Sequence, residues 1–506
     1  STLQALFDAQ ILEPVAARPG RYQFRHELLR EVAYELQPPS WRRKVHSRLC
    51  DHLTREEPGD WLVVASHYQR AERYTEAAQA YRQTSEESRR RGALEEARSH
   101  LAHAIDLVQP LAGDHVDLEV DLRLRRGFLA MSLEGAGSTD ASADYDRCLE
   151  LAAADPEGDA MFGTLISMWS YYLSRADLDR ARQTSMTLRS SLARSHSYFR
   201  PQNLAGFGML DWFAGSFASA VGTLTTATEQ LAELGDYGDI SQIWLVPIDA
   251  SAAMYVYLGL ARFMASDVAG ANASLARART IADTLDFPQG PWSNDYAHWM
   301  GSWMWIESGH VAEAVAAVDD LRESGAQHGF GTWQMIGATQ AAALDAICEL
   351  RSSESDPTAL AEHANTLSSF IEFWKALELR VLLPFYITTC GALLAASGDA
   401  DGARQRYEES LQLAAETGMR FYDAETARRV AHLASEPEAK IVGLRDALAL
   451  ARSQAARPFE LRIALDLHEL LGEDARAPLE LAMAAFPEDA TTIELEKARA
   501  RVSTPR

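Results

Sequence analysis

The sequence predicts an all-α protein, built as a right-handed α-solenoid of stacked helical hairpins. Three observations support this prediction. Alanine and leucine are frequent, and most of the 30 glycines and 18 prolines fall between apolar-periodic stretches rather than inside them. Strand patterning is confined to one short segment, and a turn motif recurs along most of the chain. The 506 residues are enough for about three globular domains or for one repeat array.

The first segment differs from the rest in both pattern and charge. Residues 21–24 read as a strand that follows Pro19 and Gly20, and a helical pattern begins at His26. Residues 1–55 carry nine basic and six acidic side chains, whereas the whole chain has a formal charge of −24. We therefore expect a small separate unit at the start of the chain, with a boundary after residue 56.

A turn followed by a small alanine recurs beyond that boundary. Five steps between Ala181 and Ala403 average 44 residues, which accommodates two helices and two short loops. Alanine lets the two helices of a hairpin approach closely, and each hairpin needs neighbours to bury its apolar face. The clearest alanines are Ala181, Ala220, Ala271, Ala314 and Ala403. We expect the first helical hairpins over residues 57–110, the solenoid over 111–470 and C-terminal capping helices over 471–506.

Composition argues against several classes of function. The 72 acidic residues against 48 basic ones repel phosphate backbones, so a general nucleic-acid binder is not expected. Cys50, Cys148, Cys348 and Cys390 form no CxxC pair, which argues against a zinc site or a disulfide framework. No apolar run approaches 18 residues, and no signal peptide precedes the first segment. We expect a soluble cytoplasmic protein. Because the chain starts at Ser1 without Met, we also expect a fragment or a processed form.

The turn-plus-alanine pattern resembles the tetratricopeptide repeat, and the period here exceeds the usual 34 residues by about ten. Elongated copies of this kind resemble those of bacterial signal-transducing ATPases with numerous domains, which include cyclase-linked ATPases and LuxR-type regulators. Residues 22–34, 42–46 and 65–68 are similar to the winged-helix end of the ATPase module, and residues 455–467 to the last hairpin of the family. The resemblance implies a winged-helix-like unit over residues 1–56 and an upstream nucleotide-binding module.

The chain lacks the catalytic signature of that family. No GxxxxGK[ST] segment occurs, so the loop that holds nucleotide phosphates is absent from this sequence. Residues 491–499 read as a capping helix rather than a DNA-binding motif, which favours a member whose effector domain lies upstream. We therefore predict no enzyme activity, no cofactor and no metal in this chain, with an ATPase or cyclase carried elsewhere in the full-length protein.

The strongest candidate site is aromatic. Trp292, Tyr296, Trp299 and Trp303 fall at positions i, i+4, i+7 and i+11 of one predicted helix and share a stripe about 60° wide. Aromatic rings at helical spacing usually pack in a core, and this is the interpretation we favour. In the alternative interpretation the stripe lines the concave wall, where it would bind a sugar, an aromatic metabolite or a partner's helix.

Two further tryptophans recur at about the repeat spacing. Trp244 precedes the stripe by 48 residues, and Trp333 follows in the next copy. This recurrence is expected of a lined groove and equally of repeated packing. We expect Trp299 to be buried and at least one of Trp292 and Trp303 to be partly accessible on the concave face.

Three weaker constellations have simpler interpretations. Residues 397–408 match the spacing of a calcium-binding EF-hand in part, but they align with the hairpin turns. His100 and His103 could approach one metal from a helix face, but they lack a third clear ligand. The basic clusters 42–44 and 89–91 are expected to be solvated or paired with acids rather than to bind nucleic acid.

These observations predict a non-catalytic sensor or protein-interaction region of a multidomain cytoplasmic signalling ATPase or transcriptional regulator. A protein partner, the upstream nucleotide-binding module or a small-molecule ligand would bind the concave face and shift the docking of the solenoid. Neither a membrane nor a nucleic acid is an expected partner. The alternatives are a stand-alone scaffold for protein assembly and an enzyme with a pocket inside the superhelix.

Overall fold

The computed structural model describes residues 2–15, 22–56, 60–111, 113, 115–135, 137–192, 197–234 and 246–503. It is 81% helical, well above the average of about one third for globular proteins, which confirms the all-α prediction. Within these ranges no helix combines the length and the apolar character that crossing a bilayer requires.

The first helices are α1 (Thr2–Asp8), α2 (Glu27–Glu35), α3 (Pro39–Glu56), α4 (Trp61–Arg70), α5 (Tyr74–Arg90), α6 (Leu94–Val108), α7 (Val116–Glu134) and α8 (Thr139–Ala152). They are followed by α9 (Asp159–Ser174), α10 (Leu178–Ser191), α11 (Arg200–Phe213), α12 (Phe217–Leu234), α13 (Ala250–Met264), α14 (Val268–Ala282), α15 (Gln289–Ser308), α16 (Val311–His328) and α17 (Gly331–Arg351). The last helices are α18 (Pro357–Ala376), α19 (Leu383–Ser397), α20 (Ala400–Thr417), α21 (Asp423–His432), α22 (Pro437–Gln454), α23 (Arg457–Leu471), α24 (Arg476–Met483) and α25 (Ile493–Ser503).

The chain divides into two compact units. The first comprises residues 1–88 and 96–122, and the second comprises residues 89–95 and 123–506. The second unit contains the long array of hairpins and the aromatic stripe, so the candidate site belongs to it alone.

The first unit contains a short antiparallel strand pair, β1 (Leu12–Pro14) and β2 (Tyr22–Phe24). Leu12 lies opposite Phe24 in this pair, and Pro14 lies opposite Tyr22. The sequence predicts β2 but not β1, because three residues that end in proline give no alternation of apolar and polar side chains.

Five hairpin turns of the second unit share one backbone geometry. In each of them, a residue with a positive φ angle lies five positions before the buried alanine, which allows the chain to reverse between two helices. The pairs are Ala176 and Ala181, Gly215 and Ala220, Ser266 and Ala271, Gly309 and Ala314, and Gly398 and Ala403. All five repeat alanines have an exposed fraction of 0%, as expected for small residues packed between two helices.

Successive turns of the superhelix touch each other in the second unit. Arg175, which follows α9, forms an ion pair with Glu378, which follows α18. The carbonyl oxygen of Phe213, at the end of α11, accepts hydrogen bonds from the backbone N–H groups of Arg420 (2.7 Å) and Phe421 (3.1 Å), which follow α20. Both contacts join elements nine helices apart. The hairpin array therefore closes on itself and encloses its inner face.

Aromatic rings fill this closing contact. Phe421 stacks on Trp212 with 4.7 Å between ring centroids and 22° between ring planes. Trp303 meets both rings at steep angles, with its centroid 5.6 Å from that of Trp212 and 5.9 Å from that of Phe421. Together with Phe213 these rings form what we call the closure cluster, and each of its four residues has an exposed fraction of 0%.

Candidate functional site

The first helices of five consecutive hairpins, α9, α11, α13, α15 and α17, surround a cavity in the second unit. The space between its walls is about 1060 Å³, a figure that includes narrow gaps between wall atoms and open solvent at the mouth. Leu379 and Val381, which follow α18, complete the wall. We call this cavity the aromatic chamber, because seven of its lining residues carry phenyl, phenol or indole rings: Trp169, Phe199, Tyr257, Trp292, Tyr296, Trp299 and Trp333.

Three residues of the predicted stripe lie on the chamber wall together with Trp333. The centroid of the Trp333 ring lies 5.0 Å from that of Trp292, 6.0 Å from that of Trp299 and 6.5 Å from that of Tyr296. The exposed fractions are 6% for Trp292, 7% for Tyr296, 4% for Trp299 and 1% for Trp333. The prediction that Trp299 is buried is confirmed. These rings are both packed against each other and part of a cavity wall.

The fourth residue of the stripe, Trp303, lies elsewhere. It belongs to the closure cluster, where Trp212 and Phe421 cover it. The expectation that Trp292 or Trp303 is partly accessible is wrong, because Trp333 packs over Trp292 and the closing contact buries Trp303. Trp244 lies outside the described residues.

Hydrogen bonds hold several of the chamber rings in place. The hydroxyl oxygens of Tyr257 and Tyr296 lie 2.6 Å apart and share a hydrogen bond. The Nε1–H of Trp299 donates to the hydroxyl of Tyr386 at 3.1 Å, and that hydroxyl donates to Oε1 of Gln340 at 2.6 Å. Burial raises the pKa values of the Tyr257 and Tyr296 phenols, which keeps both neutral.

Five residues of the chamber wall carry buried polar atoms that have no hydrogen-bond partner among the described residues. These atoms are the indole nitrogens of Trp169, Trp292 and Trp333, the hydroxyl of Ser185 and both amide atoms of Gln202. Each such atom costs about 1 to 3 kcal/mol, and native interiors contain few of them. All five residues line the same cavity.

Contacts between α9, α10 and α11 position the polar residues of the chamber wall. A Cβ atom at Gly206 would lie only 3.0 Å from Cζ2 of Trp169, so glycine leaves room for that ring against α11. The Nδ2 of Asn203 donates to the carbonyl oxygen of Ser185 at 3.1 Å and ties α11 to α10. Gln202 lies beside this contact. Gln202 and Ser185 cannot be singled out from the sequence, because one polar residue in a helix leaves no periodic signal.

A buried ion-pair network lines a second cavity, of about 1290 Å³ including the space open to solvent. Arg428 contacts Glu425 and Asp466, each at 2.7 Å, and Arg462 contacts Glu307 at 3.0 Å and Glu425 at 3.2 Å. Burial alone would raise the pKa of Glu425, but the guanidinium groups hold it well below its usual range. The sequence pattern gives no sign of this network. Each of these buried charges has an opposite charge within 3.2 Å, so the network needs no bound ion to balance it.

The segment with calcium-loop spacing is a hairpin turn. Asp399 caps α20 by accepting a hydrogen bond from the backbone N–H of Gly402 at 2.9 Å. Asp401 pairs instead with Arg404 at 2.8 Å, and it is almost fully exposed. The hairpin interpretation of residues 397–408 is therefore confirmed.

The two histidines of α6 have separate partners. His103 Nε2 lies 3.0 Å from Oε1 of Gln69, whereas His100 Nε2 lies 3.4 Å from Oε1 of Glu96. The two imidazoles thus form hydrogen bonds with different side chains, which argues against their binding one metal ion together.

Comparison with known proteins adds little beyond the fold. No protein-family model matches the chain. An uncharacterised protein of Rhizobium meliloti (strain 1021) is 27% identical over 186 residues, which are 35% of this chain and 18% of that protein. The chain therefore matches less than a fifth of the length of this curated relative.

Three solved structures are similar at low sequence identity. The Rap conjugation gene regulator of plasmid pLS20 in complex with the Phr* peptide is 12% identical, with 76% of this chain and 98% of that chain covered and a TM-score of 0.42. Yeast Tom70 is 14% identical, with coverages of 92% and 96% and a TM-score of 0.31. The TPR domain of P58(IPK) is 15% identical, with coverages of 85% and 99% and a TM-score of 0.21. At these TM-scores none of them supports an argument about function. The helices and turns of this chain make it a tetratricopeptide-like helical-repeat protein.

Proposed function

We propose that this chain is a non-catalytic sensor and protein-interaction region that binds a small ligand in the aromatic chamber. One observation carries the proposal: a mostly apolar cavity wall in which five residues have buried polar atoms without partners among the described residues. Small-molecule sites are typically concave and apolar, with a few polar groups that fix the orientation of the ligand. The inner face of a helical-repeat array also provides a surface for proteins.

The position of the chamber explains how a ligand would act on the rest of the unit. Its wall includes Trp169 on α9 and also Leu379 and Val381, which belong to the next turn of the superhelix. The ion pair of Arg175 with Glu378 joins the same two turns. A ligand that contacts both turns favours conformations in which they are packed together, and it thereby shifts the population that a partner binds.

The partner in this proposal is a protein that binds the inner face of the second unit. The first unit has an exposed apolar face of its own. Leu28, Val32 and Leu36 on or directly after α2 have exposed fractions of 69%, 48% and 76%, and Trp41 on α3 has 53%. Contiguous exposed apolar side chains of this kind are typical of interaction surfaces. The same face also suits the second candidate function, a stand-alone scaffold for protein assembly.

The wider context that we propose is a cytoplasmic signalling ATPase or transcriptional regulator. The succession of α1 and the β1–β2 pair fits the last helix and the wing of a winged-helix domain. The matching relative is much longer than the segment that it shares with this chain. Sequencing the gene upstream of the codon for Ser1 tests this context. A GxxxxGK[ST] segment there would support it, whereas a start codon beside Ser1 would favour the scaffold.

The chamber itself is tested with the neutral fluorescent probe N-phenyl-1-naphthylamine. The wild-type chain should bind the probe, and Ala253→Trp, which places an indole in the chamber, should weaken binding at least tenfold. Ala218→Trp is the matched control, because Ala218 is exposed on α12 and does not line the chamber. Circular dichroism checks that each variant is folded, and Ser170→Phe provides a second way to fill the chamber. Equal probe binding by the filled and control variants would refute the proposed site and leave the scaffold as the better function.

A further inference from the structure

We infer that the ligand of the aromatic chamber is an uncharged, mostly apolar molecule with a carboxamide-type group, and that Gln202 pairs with this group. The inference rests on the proposed function, because it takes the chamber to be the binding site. It goes further by assigning the chemical class of the ligand and the residue that selects it.

The first argument concerns charge. Among the described residues that line the chamber there is no Asp, Glu, Lys, Arg or His. The two phenols on the wall, Tyr257 and Tyr296, are neutral and bonded to each other. An ion that enters such a site loses its hydration and finds no opposite charge, which costs several kcal/mol. The chamber therefore selects against carboxylates, phosphates and ammonium groups.

The second argument concerns hydrogen-bonding capacity. The indole N–H groups of Trp169, Trp292 and Trp333 can only donate, and each is buried without a partner in the described part of the chain. The unpartnered donors on the wall thus outnumber the acceptors, which are the oxygens of Ser185 and Gln202. A ligand that satisfies this wall presents mainly acceptor atoms, such as carbonyl oxygens.

The third argument concerns Gln202. Its side chain has an exposed fraction of 5%, and both its amide nitrogen and its amide oxygen lack partners among the described residues. A primary or secondary amide carries a donor and an acceptor on neighbouring atoms and can satisfy both ends of Gln202 at once. A carboxylate can only accept, so it would leave the Gln202 oxygen unpaired and facing a negative charge.

The fourth argument concerns the remainder of the ligand. Trp169, Trp292, Trp299 and Phe199 supply flat apolar surface around the chamber, and rings pack well on such walls. A sugar would bring many hydroxyl groups, each of which needs a partner that an apolar wall does not supply. The apolar part of the ligand is therefore expected to be aromatic or alicyclic rather than polyhydroxylated.

A matched pair of small molecules tests the inference. Indole-3-acetamide and indole-3-acetate share one skeleton and differ in whether the end group is a neutral amide or a carboxylate. Isothermal titration calorimetry on the full chain should show that the amide binds at least tenfold more tightly than the acid. Gln202→Leu should weaken binding of the amide at least tenfold while N-phenyl-1-naphthylamine still binds. Gln183→Leu is the matched control, because Gln183 is exposed on α10 and does not line the chamber.

The possible results separate this inference from the proposed function. If the dye binds but the amide binds no better than the acid, or if Gln202→Leu binds the amide as wild type does, the inference is wrong and the chamber remains a binding site. If neither the dye nor the amide binds, the proposed function fails as well. Should Gln202→Leu not fold, Gln202→Met serves in its place. Methionine has nearly the length of glutamine but no amide group, so this variant should also bind the amide at least tenfold more weakly than wild type.

Discussion

Replacing Trp299 with alanine should lower the free energy of unfolding by about 3 to 5 kcal/mol. The ring is 4% exposed, its centroid lies 6.0 Å from that of Trp333, and its Nε1–H donates to Tyr386 at 3.1 Å. Burial of about 200 Å² at about 25 cal/mol per Å² contributes about 5 kcal/mol. The lost hydrogen bond adds about 1 kcal/mol. The open space of the chamber on one side of the ring reduces this sum to the expected range.

Urea unfolding followed by far-ultraviolet circular dichroism measures this loss without relying on tryptophan fluorescence. Trp299→Phe keeps a ring but loses the hydrogen bond, so it should cost about 1 to 2 kcal/mol. Trp305→Ala is the control in the same helix, because Trp305 is half-buried and bonded to Asn272 at an exposed site. We expect this control to cost clearly less than Trp299→Ala. A Trp299→Ala variant within about 0.5 kcal/mol of wild type would refute the claim that the ring is packed into the wall.

Three further substitutions test other parts of the second unit. Burial raises the pKa of Asp295 to about 7, so the folded state keeps a proton that the unfolded chain releases near pH 4, and stability falls as the pH rises between these values. Asp295→Asn should therefore stabilise the chain by about 1 to 3 kcal/mol more at pH 8 than at pH 4, and equal effects in urea titrations at both pH values would contradict this. Phe421→Ala should cost about 3 to 5 kcal/mol, because it empties the closure cluster beside Trp212, and hydrogen exchange should speed up at the ends of α11 and α20. Glu425→Gln should cost about 3 to 5 kcal/mol near neutral pH, since it removes a buried carboxylate that pairs with both Arg428 and Arg462. Folding lowers the pKa of Glu425, so its carboxylate stabilises the folded state above the pKa that it has in the unfolded chain. This stabilisation is lost as the pH falls through the lower pKa of the folded state. Thermal melts of the variant and wild type should therefore converge in acid.

The hairpins could be predicted from the sequence because their determinants are local. A residue that tolerates positive φ and an alanine five positions later, such as Gly398 and Ala403, specify one turn and one helix crossing. The closing contact could not be predicted in this way. Phe213 and Arg420 are far apart in sequence, and they meet only because small rotations from hairpin to hairpin add up over nine helices. A local pattern carries no information about that sum.

The candidate site could be predicted from the sequence only in part. The spacing of Trp292, Tyr296 and Trp299 places them on one helix face, and all three line the chamber. The same spacing wrongly groups them with Trp303, because the two ends of a long helix meet different neighbours. Gln202 could not be found from its pattern. Its significance depends on the lack of a partner among the residues that the structure describes, which is a property of packing and not of sequence.

The contact between Phe213 and Arg420 also fixes the number of repeats that the chain can hold. In an open solenoid each hairpin touches only its neighbours, so evolution can duplicate or delete one without disturbing the others. Here an extra hairpin of about 44 residues between α12 and α20 would carry Phe421 past Trp212 and leave both rings without their partner. The closed array resembles a β-barrel in this respect, since closure ties the size of the ring to the number of its elements. Changes of length are therefore expected in loops or beyond the closed hairpins, and homologues should conserve the hairpin count between these two contacts.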